Sequence, residues 1–116
     1  VCGGSSDSGI SGDKTEANLG STDFWVLKLD SSGVILWQNT IGGNEGDELF
    51  DMDMLANGGF LCAGRSESNI SGDKNENSIS NSYDFWLVQL DADGIPLWQK
   101  TIGGGSYDAA ITVLQT

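Results

Sequence analysis

Carboxylates are the most abundant reactive groups of this chain, and many gather in two loops of related sequence. Residues 5–23 read SSDSGISGDKTEANLGSTD and residues 66–84 read SESNISGDKNENSISNSYD. Asp7, Asp13 and Glu16 stand in the first, and Glu67, Asp73 and Glu76 in the second, among serine and asparagine oxygens. Hard cations such as calcium take about six to eight oxygen ligands of this kind, which makes these six residues a candidate calcium site. The competing reading is a solvated loop whose Ser and Asp side chains hold its own amides. Lys14 and Lys74, inside the two loops, compete for the same carboxylates.

A second candidate is Asp51 with Asp53. Two apart on an expected strand, they point to one face, where paired carboxylates can share a proton or hold a metal. Thr112 and Leu114 stand at the matching positions of the related segment, so the pair is not common to both halves. Solvated edge charges are the simpler account. DADG at 91–94 opens like a calcium loop but lacks the third acid and the closing Glu, and its counterpart is DSSG; it reads as a turn. The glycine-rich stretches 42–46 and 103–108 precede no helix pattern, so they offer no helix N-terminus to a phosphate.

Other chemistries are excluded by what is missing. The 116 residues contain no His, which removes imidazole general bases and His-based metal sites. No Ser or Cys is matched with a base in a triad pattern, so the chain is expected not to be an enzyme. Asp and Glu number 17 against 5 Lys and Arg, a formal charge of −12. Such a surface repels phosphate backbones and anionic lipid, so neither nucleic acid nor a membrane surface is an expected partner. No apolar run reaches the ~20 residues that a membrane helix needs. Cys2 and Cys62 form no CxxC pair; in VCGG and LCAG they read as buried free thiols, with a disulfide between them or a reactive thiol as the alternatives.

The elements that position these residues follow from an internal repeat. ISGDK occurs at 10–14 and 70–74, DFW at 23–25 and 84–86, LWQ at 36–38 and 97–99, and TIGG at 40–43 and 101–104. Each unit of about 60 residues divides into four strand candidates. They are 48–55, matched by 109–116; 59–66, matched by the start of the chain; 23–30, matched by 84–91; and 34–42, matched by 95–103. Asn57-Gly58 predicts a two-residue hairpin, and DSSG and DADG predict turns with Gly at the left-handed position. No sustained 3.6-residue apolar stripe exists.

The expected fold is all-β: a β-propeller in which two four-stranded antiparallel blades belong to a larger or self-assembled propeller. The first repeat spans 1–55 and the second 56–116, each supplying three strands of one blade and the first strand of the next. Trp25, Trp37, Trp86 and Trp98 could stack on sugars, but at fixed positions beside Leu, Val and Ile they read as core between blades. Closed propellers have about 4–8 blades, so further blades are expected as partners, either in a longer parent chain or by homo-oligomerisation. An eight-stranded β-sandwich is the alternative, although a sandwich does not demand so strict a repeat.

The segment SNISGDK…YDFWLVQLDADGIPLWQKTIGG, together with NGGFLCAG, resembles the β-propeller repeats of secreted Bacteroidetes proteins that carry type IX secretion sorting tails. The likeness covers both units and implies a fold and a secreted or cell-surface location. The function expected is a non-catalytic structural or binding module that presents acidic loops for protein, glycan or cation contact. The alternative is the scaffold part of a secreted propeller enzyme (hydrolase, lyase or quinoprotein) whose active site lies in other blades. A fainter likeness of residues 29–37 to quinone-cofactor propellers carries no ligand residues with it.

Overall fold

A computed structural model of the chain describes residues 1–79 and 82–104. Seven strands form two antiparallel sheets, with no helix among the described residues. The first sheet contains β1 (Cys2–Ser6), β2 (Asp23–Leu29) and β3 (Ile35–Ile41) in that order. The second contains β4 (Asp47–Met54), β5 (Phe60–Ser66), β6 (Asp84–Leu90) and β7 (Pro96–Ile102), again in chain order. The first sheet has three described strands, the three that the first repeat is expected to give to one blade; 109–116, expected as the first strand of a following or partner blade, lies outside the described residues.

Local chemistry sets the hairpins. After β2, the Asp30 amide donates to the Val34 carbonyl (2.9 Å), and Asp30 Oδ1 accepts from the Ser32 and Val34 amides at 2.8 and 3.0 Å. Asp91 does the same for Asp93 and Ile95 at 2.9 and 3.0 Å. Gly33 and Gly94 close these turns at φ of 83° and 82°, a conformation glycine adopts without a Cβ penalty. The β4–β5 connection corrects the two-residue expectation. Leu55 pairs with Gly59 across the three residues 56–58, with Gly58 at φ 86°, so it is the same three-residue turn with a left-handed third position.

The sheets pack face to face. Register places Phe24 opposite Ile41, Val26 opposite Asn39 and Lys28 opposite Trp37, so these side chains share the inner face of the first sheet. Phe24, Val26 and Ile41 are fully buried there against Trp86, Val88, Leu90, Phe60 and Cys62. The Phe24 and Trp86 rings lie 4.9 Å apart, and Trp37 meets Phe60 edge-on at 6.2 Å. In β4 a bulge between Leu49 and Asp51 turns Leu49 and Met52 to the same side, where both close on Gly3. At about 25 cal/mol per Å2 of apolar surface, this layer supplies the main stabilising term.

Cys62 matches the expectation of a buried thiol, and burial pushes its pKa up to about 12. Cys2 does not: it is free but exposed, because β1 is an edge strand and Cys2, opposite Leu27, stands on the face of the first sheet that no other sheet covers among the described residues.

Candidate functional site

The two units meet where the loop after β5 lies on the connector after β3. The Asp73 amide donates to the Gly42 carbonyl at 2.8 Å, and the Gly42 amide donates back to Asp73 Oδ2 at 3.2 Å. The Asn44 amide donates to Ser71 Oγ (2.8 Å), the Glu45 amide to Ser68 Oγ (3.0 Å), and the Glu67 amide to the Gly46 carbonyl (3.0 Å). The ISGD segment of the second unit is thus a latch on the TIGG segment of the first. Gly42 is required by close approach. A Cβ there would collide with Asp23 Oδ1 and stand 2.8 Å from Asp23 Cγ and 3.0 Å from Asp47 Oδ2.

Behind the latch are carboxylates that the sequence reading did not single out. Asp23, Asp47 and Asp84 are all fully buried. Asp23 Oδ2 accepts from the Leu19 and Gly20 amides at 2.7 and 3.3 Å, and Asp84 Oδ2 from the Ile79 amide at 2.7 Å and Ser78 Oγ at 3.0 Å. Each folds its preceding loop back on the sheet. Asp47 Oδ2 accepts from the Gly43 amide (2.8 Å) and Ser68 Oγ (3.0 Å). Burial raises the Asp47 carboxyl to about 6; the Ser66 hydroxyl, the Gly43 amide and the Ser68 hydroxyl oppose this, and nearby Asp23 adds to it. Burial also raises Asp23, against the Leu19 and Gly20 amides and Lys14. The recurrent Asp of DFW was the available signal for two of these residues, but beside the richer loops it read as a strand start.

The lysine of each acidic loop is turned inward. Lys14 and Lys74 are each 2 % exposed. Lys14 Nζ donates to the Glu16 carbonyl at 2.7 Å; Lys74 Nζ donates to the Glu76 carbonyl at 2.6 Å and to Thr101 Oγ1 at 2.8 Å. Burial lowers the Lys74 pKa, while the Asp47, Asp84 and Glu76 carboxylates support its charge.

Of the six candidate ligands, Glu16 and Asp73 come together. They line an open cleft of about 520 Å3 between the units, with Ala17, Leu19, Asn39, Thr40 and Gly72. Glu16 Oε1 accepts the Thr40 amide. Asp73 is raised by burial and by the charges of Glu16 and Asp23, against the Gly42 amide. Thr40 is 6 % exposed, and its buried hydroxyl oxygen has no hydrogen-bond partner among the described residues. The other four are apart. Asp7 and Asp13 are exposed in the first loop. Glu67 stands beside the Tyr83 hydroxyl near Gly46. Glu76 accepts from the Thr101 amide (2.7 Å) and pairs with Lys100 at 3.3 Å, and that amide is the main cause of its lowered pKa.

No group of three or more His, Cys, Asp or Glu side chains is placed to hold a metal ion among the described residues. Asp51 and Asp53 pair in register with Ala63 and Leu61 on edge strand β4, on the face of the second sheet turned away from the first. No protein-family model matches this chain, and no curated protein matches it either.

Proposed function

We propose that the chain is a non-catalytic contact module, made of β-propeller units, whose acid-lined cleft receives a cationic group such as a lysine or arginine side chain of a protein partner. The observation that carries this reading is the cleft at the unit junction. Glu16 and Asp73 both line it, one from the loop of each unit, close enough for the charge of Glu16 to act on Asp73. A net charge of −12 favours encounter with a basic partner. The buried carboxylates hold loop amides and serine hydroxyls, which supports a scaffold role rather than turnover. The propeller assignment is supported by two sheets of matching sequence stacked face to face, and a location outside the cell by the resemblance to secreted repeats.

Calorimetric titration with an oligolysine peptide tests the cleft, with oligoglutamate as control. The expected result is oligolysine binding that weakens as salt rises and falls several-fold in Glu16→Gln, which keeps an acceptor for the Thr40 amide. Binding that this variant leaves unchanged is general charge attraction and overturns the assignment. A melting temperature raised by calcium would give the cleft to a metal ion instead, because a ligand of the native state must stabilise it.

A further inference from the structure

We infer that a second copy of this chain docks head to tail, seating the uncovered face of its first sheet on the outer face of the second sheet. The junction inside one chain already shows how such faces fit, and several of its partners have sequence counterparts that stand exposed or half-buried.

Trp37 lies against Gly94, where a Cβ would stand 2.7 Å from Trp37 Cη2, and the Asn39 amide nitrogen donates to the Gly94 carbonyl at 2.7 Å. Their counterparts are Trp98, which is 45 % exposed, Lys100, which is exposed, and Gly33, which has no atom within 4 Å of its Cβ position. Asp73 is bound to buried Gly42; the counterparts Asp13 and Gly103 are both exposed. Gly72 and Gly12 share a φ of 52°, yet a Cβ on Gly72 would meet the Gly42 carbonyl while one on Gly12 would meet nothing.

The apolar layer repeats the pattern. Ile41 is fully buried at the junction, and its counterpart Ile102 is 44 % exposed. Phe85 and Leu87 stand half-buried on the outer face where Phe24 and Val26 are buried on the inner one. On the opposite side of the molecule Trp25, Leu27 and Leu29 are half-buried, whereas Trp86, Val88 and Leu90 are fully buried.

One side of the chain therefore carries the latch loop and sheet face, and the other carries the connector and sheet face that receive them. A second copy is the occupant because both halves of a junction already present in the molecule are needed, and this chain supplies both. Repeating one step in one direction makes a heterologous interface, which closes into a ring or continues as a filament. The inference rests on the stacked-unit reading above and not on the ligand of the cleft.

Sedimentation velocity of the intact chain, with two variants, tests this. Leu27→Arg with Asp13→Arg blocks the head, and Leu87→Arg with Trp98→Arg blocks the tail; none of the four belongs to the internal junction. The wild type is expected to form species larger than a monomer, and each variant alone to be monomeric. An equimolar mixture is expected to form dimers and stop, since only one open head and one open tail remain compatible. Cys2 gives a readout that needs no substitution: its exposed thiol reacts readily in the monomer and several-fold more slowly in the assembly, in the way that Cys62 is covered within the chain.

A wild type that stays monomeric at about 100 µM, which marks any association as weaker than a typical specific complex, overturns the inference. So does a mixture that fails to pair, or a single variant that still dimerises. A monomeric chain that nevertheless binds oligolysine through Glu16 removes the assembly and leaves the cleft standing.

Discussion

Asp47 carries the sharpest consequence at the scale of one residue. Its carboxyl titrates near 6 in the fold against an ordinary value of 3.8, so between those limits the folded chain binds more protons than the unfolded one. Stability is then fully helped by this group below about pH 4 and declines as pH rises to about 6, by about 3 kcal/mol at most. Asp23 and Asp73, also raised by burial, act with the same sign. In Asp47→Asn, denaturant midpoints measured across this window are expected to show a clearly flatter decline. An unchanged slope would mean that the side chain is hydrated. This role was not legible in the sequence. An Asp among glycines is written the same way whether it caps amides, binds calcium or faces water, and only the approach of the Gly42 backbone distinguishes these.

At the scale of elements, strands and turns could be read directly, because apolar runs bounded by Asp and Gly have few other solutions. DSSG, DADG and Asn57-Gly58 each gave a turn, although Asn57-Gly58 concealed a third loop residue that becomes visible only when Leu55 pairs with Gly59. The acidic loops were legible as a recurrent pair but not in their task. ISGDK spends its Lys inside the loop and, in the second unit, its Asp on the neighbouring connector. The two Gly of TIGG give the connector its close fit. Gly42→Ala forces a Cβ onto the Asp23 and Asp47 carboxylates, neither of which has room to withdraw, and is expected to cost about 1–3 kcal/mol. Thermal unfolding checks this; a variant as stable as the parent would place the latch elsewhere.

At the scale of the whole molecule, two sheets share one buried layer, and each keeps an outer face whose counterpart is already buried inside. The sequence forecast that both sides of each sheet are apolar; it did not say which tryptophan meets which glycine, since that depends on the angle between the sheets. The most direct measurement is a set of nuclear Overhauser contacts within one chain, diluted into an isotopically silent excess so that contacts between copies are not seen. Cross-peaks between the Phe24 and Trp86 rings and between Trp37 and Gly94 are the predicted result. Their absence, with the Phe24 ring open to solvent, would contradict the stacking from which every other conclusion is built.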